Sequence, residues 1–266
     1  MKLMDKFRLD GKVAVITGGG KGIGAAIARA FAEAGADVVI AARTATDLDA
    51  VAADVAAAGR RAVTVPTDVL QFGQLQTLAE RAMAEFGRID ILVNNAGGFP
   101  PKPAAQTSAQ DFENAMRFNV TTAFELSRIC APLMIQDGRE GVILNISSIA
   151  GHKPAPCFAA YGTAKSALSF LTCELAQEYA PRIRVNAIAV GSTKTDALNT
   201  VLTDEIEQTM VELTPMARLG EVEDIALGAL YLCSPAASYV TGEILGVNGG
   251  MERLNMQMPR AFGGVG

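Results

Sequence analysis

The stretch Val13-Ala-Val-Ile-Thr17-Gly-Gly-Gly-Lys-Gly-Ile-Gly24 decides the fold of this chain. Its first five residues are apolar on both faces and rich in β-branched side chains, the pattern of a strand buried inside a parallel sheet. Residues 18–24 form a glycine loop, the alanine-rich segment 25–34 reads as a helix, and Gly35 supplies its stop. A glycine loop acquires meaning from standing between a strand and a helix. There the backbone can turn tightly and approach a pyrophosphate. The following helix turns free N–H groups and the positive end of its dipole toward the phosphates. The spacing is G-x-x-x-G-x-G, at Gly18, Gly22 and Gly24, with Lys21 and Ile23 inside the loop. With nothing bound, the same loop is only a tight turn.

The alternation repeats outward from this unit. Further strands are predicted at Asp37–Ala42, Ala62–Pro66, 89–94, 142–147, 182–189 and 243–247. Helices are predicted at 47–58, 71–86, 118–135, Ala159–Tyr179, 204–211 and Val222–Cys233. Short strands joined by helices imply a parallel sheet covered on both faces. No linker and no internal repeat interrupts the pattern. The expectation is a single Rossmann-type, doubly wound α/β domain over 1–266, with a seven-stranded parallel sheet and helices on both faces. Two irregular stretches, 97–108 and 192–220, follow strand C-terminal ends, where ligands bind in open α/β sheets. The tail 251–266 is apolar but irregular. Its Met251, Met256 and Met258 suit a flexible lid, a cover for a neighbouring subunit, or a segment without fixed structure.

Composition removes several classes. Half of the 266 residues are apolar and 19% are charged, which excludes a disordered chain. Lys and Arg number 23 against 28 Asp and Glu, a net charge of −5. That balance, with basic residues no denser than Arg60-Arg61, argues against nucleic-acid binding. No apolar run reaches the ~18 residues of a membrane span. The opening residues MKLMDKFRLDGK lack the apolar core of a signal peptide, so a cytoplasmic location is expected. Cys130, Cys157, Cys173 and Cys233 show no zinc-like spacing and read as thiols of a reducing compartment. One histidine, His152, leaves no His-based metal site and no Ser-His-Asp triad, and no metal is expected.

Strand two ends Ala41-Ala42-Arg43. Folds that choose NAD carry an acid there for the ribose 2′-hydroxyl, whereas an Arg suits a 2′-phosphate. Arg43 and Lys21, with no carboxylate at the strand end, favour NADP over NAD; otherwise Arg43 is a solvated charge at a helix entry. Tyr161 and Lys165 stand four apart on one predicted helix, hence on one face. A neighbouring ammonium should lower the phenol pKa and make it usable as an acid or base. Alone, such a pair is an ordinary surface pair. Here the preceding strand ends Asn145-Ile-Ser-Ser148, and a hydroxyl at that end can hydrogen-bond a substrate oxygen. Ser147 reads as a plain strand-end serine.

In this order the motifs resemble the short-chain dehydrogenase/reductase family over about residues 8–250. The resemblance rests on TGGGKGIG, Asp68-Val69, Asn94-Asn95-Ala96-Gly97, Asn119, Ser148, YxxxK and Asn248-Gly-Gly. It implies Tyr161 as catalytic acid/base, with Lys165 binding the nicotinamide ribose and assisting Tyr161. Ser148 would polarise the substrate oxygen, and Asn119 would hold a helix distortion and a relay water. It also implies that Asp68 and Val69 contact adenine, that Asn95 and Gly97 border the cofactor, and that Thr195 meets the carboxamide. One departure stands out. The family usually has Pro-Gly after the sixth strand and this chain has Val190-Gly191, which predicts a freer loop beside the nicotinamide.

Within the family, the segments Pro100-Pro-Lys-Pro103, Thr195-Asp-Ala-Leu198 and Leu232-Cys-Ser-Pro-Ala-Ala237 are most similar to bacterial 7α-type hydroxysteroid dehydrogenases. The expected activity is NADP-dependent hydride transfer between nicotinamide and a bulky secondary alcohol or ketone. Phe99, Pro100, Cys157, Phe158, Leu198, Val201 and Leu202 are the candidate substrate wall, and His152 either touches substrate or is a surface loop histidine. The alternative substrate is a 3-oxoacyl thioester on an acyl-carrier protein, for which Lys102, Lys153 and Lys194 form only a thin basic patch. A methyltransferase has no use for YxxxK. A catalytically silent nucleotide-binding regulator is disfavoured by the intact Ser148, Tyr161 and Lys165. Family resemblance implies a homotetramer or dimer, with helices 118–135 and Ala159–Tyr179 as dimer faces.

Overall fold

The computed structural model describes residues 2–199 and 202–258; Val201 and the tail beyond 258 lie outside them. Seven strands form one parallel sheet: β1 (Val13–Thr17), β2 (Asp37–Ala42), β3 (Ala62–Pro66), β4 (Ile91–Asn94), β5 (Gly141–Ser148), β6 (Ile183–Val190) and β7 (Ile244–Val247). Their order is β3-β2-β1-β4-β5-β6-β7. The winding therefore reverses between β1 and β4, and the carboxyl ends of those two strands open a crevice. This is the doubly wound arrangement expected from the sequence.

Alternate residues of each strand feed two apolar layers. On one face Ala14, Ile16, Val38 and Ile40 pack with α1 (Gly22–Glu33), α2 (Ala45–Ala57) and α9 (Val222–Cys233) through Ile27, Phe31, Leu48, Val51, Ile225 and Leu232. On the other, Val13, Val15, Val39 and Leu92 meet α3 (Phe72–Phe86), α5 (Thr122–Met134) and α6 (Ala159–Tyr179) through Leu75, Leu78, Leu126, Met134 and Leu175. Burial on both faces explains why the strands read as continuous apolar runs. It also pushes the Cys130 and Cys233 thiols up to about 12, which leaves them unreactive.

The helix expected at 118–135 differs from expectation. α4 (Ala109–Met116) precedes a π-helical turn, Arg117–Thr121, which runs on into α5. The sequence reading started one helix at 118 and missed α4, because that segment is polar and buries only Ala115. A capping signal was present. Ser108 Oγ accepts from the Asp111 N–H at 3.1 Å, and Asp111 Oδ2 accepts from the Ser108 N–H at 2.9 Å. In the long connection after β6, two short helices, α7 (Asp196–Asn199) and α8 (Asp204–Glu212), stand where only the second was expected. Val190 is likewise not a loop residue. It is the last residue of β6, buried, and in register with Ser148 of β5 and Val247 of β7.

The two strands flanking the crevice are also joined at their other ends. Asp90, buried just before β4, accepts from the Val13 N–H at 2.9 Å, from Arg88 at 2.6 and 2.7 Å, and from Lys12 at 3.3 Å. Asp90→Ala leaves the Val13 donor and two cations without their acceptor. It should destabilise the protein by about 3 kcal/mol in urea unfolding monitored by circular dichroism.

Candidate active site

A cleft of about 670 Å³ lies over the carboxyl ends of the strands. Of the residues singled out in the sequence, Gly18, Lys21, Gly22, Ile23, Arg43, Asp68, Val69, Asn95, Gly97, Ser148, Tyr161, Lys165 and Thr195 all line it. Gly24 and Asn119 stand behind its wall.

One end is built from backbone. Gly18 has φ +64°, and a Cβ on Gly24 would sit 2.2 Å from the Gly18 carbonyl oxygen, so neither position tolerates a side chain. This close approach sets the glycine loop at the amino end of α1, whose first N–H groups face the cleft. Asn95 holds the loop: its Nδ2 donates to the carbonyls of Thr17 at 2.9 Å and Gly18 at 3.1 Å. Its side-chain donors are thus committed to the loop rather than left for an adenosine. The cradle fits a pyrophosphate, because a Cβ would fill the space the glycines leave and the helix end supplies donors. Gly22 also faces Thr195 across the cleft, at 3.6 Å from a Cβ placed on the glycine to Thr195 Cγ2.

Beside the loop, Arg43 is exposed at the end of β2. Asp68 accepts from the Leu70 N–H at 3.0 Å, and Val69 is buried behind it. The expectation of two cations without a carboxylate needs correcting here. Asp47, from the first turn of α2, lines the same wall and pairs with Lys21 at 3.2 Å. The acid is supplied by the following helix, so reading the strand end alone missed it.

The other end is assembled from β5 and α6. Tyr161 is half-buried, and its phenol is hydrogen-bonded with the Ser148 hydroxyl. Lys165 is buried, with its ammonium donating to the Ile146 carbonyl at 2.8 Å and lying 5.8 Å from the centre of the Tyr161 ring. Burial lowers Lys165 to about 8. Burial also raises the Tyr161 pKa, against a smaller downward pull from Ser148. The expected lowering of the phenol by Lys165 is therefore not what the geometry gives: the ammonium turns to a backbone carbonyl, and desolvation dominates. The phenol is protonated at neutral pH and suited to giving a proton.

Asn119 lies in the π-helical turn and is buried. Its Oδ1 accepts from the Gly98 N–H at 2.8 Å, and its Nδ2 donates to the carbonyls of Ala115 at 2.9 Å and Gly98 at 3.1 Å. Gly97 stands between it and the cleft: a Cβ there would lie 2.8 Å from Asn119 Oδ1 and 3.1 Å from Lys165 Nζ.

Among the described residues, the expected apolar wall does not line the cleft. Phe99 packs instead, with Met116 and Val120, against the buried cluster of Ala115, Ala160 and Ala164. Phe158 faces the Tyr161 ring at 6.3 Å. Pro100, Cys157, Leu198 and Leu202 are also absent from the cleft lining. Beyond Ile23 and Val69, its larger apolar lining residues are Leu70, Phe118, Ile146 and Val190. Leu70 directly follows Asp68-Val69 and Phe118 directly precedes Asn119, but neither carries a polar group that marks it as a site residue in the sequence. His152 is exposed and bonds Ser169 rather than reaching the cleft.

A buried ammonium with a depressed pKa destabilises the fold while it is charged. The unfolded chain holds this proton up to about 10.5 and the folded chain only up to about 8, so the cost is present below pH 8 and fades as pH rises toward 10.5. It amounts to roughly 3 kcal/mol at neutral pH, less the lost bond to Ile146. Lys165→Met should raise Tm at pH 7, and calorimetry should show that advantage narrowing between pH 8 and about 10.5.

Comparison with known proteins places this geometry. Residues 18–252 match the family described as enoyl-(acyl carrier protein) reductase. The chain is 51% identical over 258 residues to an uncharacterized oxidoreductase of Mycobacterium tuberculosis, covering 97% of this chain and 98% of that one. It is 46% identical over 253 residues to the 7α-hydroxysteroid dehydrogenase of Escherichia coli strain K12, covering 94% and 98%. A solved 7α-hydroxysteroid dehydrogenase, complexed with NADH and 7-oxo glycochenodeoxycholic acid, superposes with a TM-score of 0.91 at 45% identity, over 94% of this chain and 98% of that one. With the glycine loop, the seven-stranded parallel sheet and the Tyr161–Lys165 helix in these positions, the chain belongs to the short-chain dehydrogenase/reductase family of nicotinamide-dependent oxidoreductases.

Proposed function

We propose that the protein is an NADP-dependent dehydrogenase/reductase of a bulky, hydrophobic secondary alcohol or ketone, of hydroxysteroid type. The observation that carries this reading is the layout of one cleft, with a phosphate cradle and exposed cations at one end and Ser148, Tyr161 and Lys165 at the other. The glycine loop and the α1 amino end would hold the pyrophosphate, Arg43 and Lys21 a 2′-phosphate, and Lys165 the nicotinamide ribose. When bound, the nicotinamide supplies or takes up the hydride. Ser148 donates a hydrogen bond to the substrate oxygen. Tyr161 delivers its proton to that oxygen in the reducing direction and takes it back in the oxidising one. Lys165 keeps a positive charge beside the phenol while the proton is away, and the Asn119 turn holds the relay water.

The 46% identity to a 7α-hydroxysteroid dehydrogenase favours a steroid-sized substrate. A 3-oxoacyl thioester is the second reading, favoured by the acyl-carrier-protein description of the matching family. Against it, two of the three lysines near the mouth are already paired, Lys102 with Asp111 at 2.6 Å and Lys194 with Glu207 at 2.7 Å. A silent regulator has no need of a buried ammonium beside a half-buried phenol. We read residues 1–266 as one domain in the cytoplasm, assembled as a homotetramer or dimer. Exposed Phe124 on α5 and Phe170 on α6 suit the expected dimer faces. No helix among the described residues is long and apolar enough to cross a membrane.

Fluorescence titration with NADPH and NADH, followed by a steroid and ketone panel, tests the reading. Arg43→Ala should weaken NADPH at least about tenfold more than NADH; equal losses would refute the 2′-phosphate role. Tyr161→Phe should lower kcat by about a thousandfold while NADPH binding stays within a factor of about two. Substantial residual turnover would overturn the acid/base assignment.

A further inference from the structure

The outer end of a buried hydrogen-bond chain is His152. Its Nε2 lies 3.0 Å from Ser169 Oγ, which lies 2.8 Å from Ser147 Oγ. Both hydroxyls reach the backbone oxygen of Lys165, Ser147 at 3.1 Å and Ser169 at 3.0 Å. Ser147 and Ser169 are buried, whereas His152 is exposed. The segment that carries Ser148 grips the same helical turn at two more points. The Ile146 carbonyl takes the Lys165 ammonium at 2.8 Å. Gly151 lies so close that a Cβ would stand 2.7 Å from the Lys165 carbonyl carbon.

Counting protons makes His152 the donor to this chain. Two serine hydroxyls carry one hydrogen each, and one of these must lie between the two oxygens. If Ser169 spends its hydrogen on Ser147, Ser147 is free to donate to Lys165 O, and Ser169 must then receive an N–H from His152. If instead Ser147 donates to Ser169 and Ser169 to the Lys165 carbonyl, Ser169 again receives the His152 N–H; either order makes three of the four contacts, one more than with Nε2 as acceptor. Ser147 is next to Ser148 in β5, and Lys165 is one turn beyond Tyr161 in α6. The chain therefore ties the strand end bearing one reacting group to the helix bearing the other two.

We propose that Ser169, with His152 as its outer donor, is a positioning residue for the reaction: through Ser147 it fixes the Lys165 turn of α6 against the Ser148 end of β5. Neither residue lines the cleft. The proposal rests on the reading of Ser148, Tyr161 and Lys165 given above, and Tyr161→Phe serves as its control.

The experiment compares Ser169→Ala, His152→Ala, His152→Gln and the Ser169→Ala/His152→Ala double variant on the ketone of the panel that wild type turns over fastest. Ser169→Ala should lower kcat about tenfold and His152→Ala about threefold, in line with one or two lost neutral hydrogen bonds. KM and the NADPH Kd should stay within about twofold, because the interaction acts on the reacting geometry and not on uniform binding. His152→Gln, which keeps an N–H donor, should recover most of the loss. The double variant should be no worse than Ser169→Ala, since both break one chain. Unchanged kcat in both single variants would overturn the proposal, as would losses that are additive, follow Tm and are not recovered by His152→Gln. Should Ser169→Ala fail to fold, the exposed His152 pair decides alone. Full turnover by Tyr161→Phe sinks both the site reading and the proposal; an inactive Tyr161→Phe beside wild-type-like His152 and Ser169 variants sinks the proposal only.

Discussion

The reversal of winding at β1 is the constraint on which the rest of the molecule depends. β2 and β3 lie to one side of that strand and β4 to β7 to the other, so the connections leaving β1 and β4 depart in opposite directions and cannot roof the gap between them. The gap is held open and in register by Thr17, the buried last residue of β1. Its hydroxyl accepts from the N–H groups of Asn95 and Ala96 at 3.1 Å, and its carbonyl takes the Asn95 amide. The glycine loop leaves from the same residue. Its tight path depends on the close approach of Gly24 to Gly18. One residue thus sets both the width of the crevice and the position of the phosphate cradle.

Behind the reactive end, polar groups are spent on architecture. Asn94 and Asn145 are paired across β4 and β5, with Asn94 Nδ2 donating to Asn145 Oδ1 at 2.9 Å. Asn94 also reaches Ser127 of α5 at 3.1 Å, and Asn145 reaches Thr172 of α6 at 2.9 Å. Fully satisfied buried polar networks specify one arrangement of their elements where apolar contacts tolerate several. Here they fix α5 and α6 relative to the two strands whose ends form the cleft floor. Lys165 is inserted into this rigid setting and not into solvent, which is why its charge costs stability and why its pKa is low enough to matter near neutrality.

The sequence was most informative where geometry is local. β1, β2 and β3 and the helices α6 and α9 fall where periodicity and glycine stops place them, because a strand apolar on both faces and a helix closed by a turn signal admit few other readings. The site residues belong to motifs of fixed spacing, so the cleft gathers nearly all of them. What stayed hidden depends on distant chain segments. Asp47 reaches the Lys21 wall from α2, Phe118 enters from the π-helical turn, and Phe99 packs against alanines of α4 and α6. The electrostatic reading of Tyr161 failed for the same reason. Spacing places Lys165 on its face, but only the fold shows that the ammonium is drawn to Ile146 and that desolvation outweighs charge.

The two ends of the cleft are built to opposite rules. At the cradle end the side chains are weakly held: the Lys21–Asp47 pair is largely open to water on the lysine side and Arg43 is exposed. Pairs of that kind contribute ~0–1 kcal/mol to stability, so their identity can change with little consequence for the fold. At the reactive end the ammonium, the serine hydroxyls and the Asn119 amide are buried, and each is committed to a named partner. Removing any one strands another, at the ~1–3 kcal/mol cost of an unsatisfied buried group. Choice of cofactor is therefore separable from the stability of this scaffold, whereas the acid–base chemistry is not.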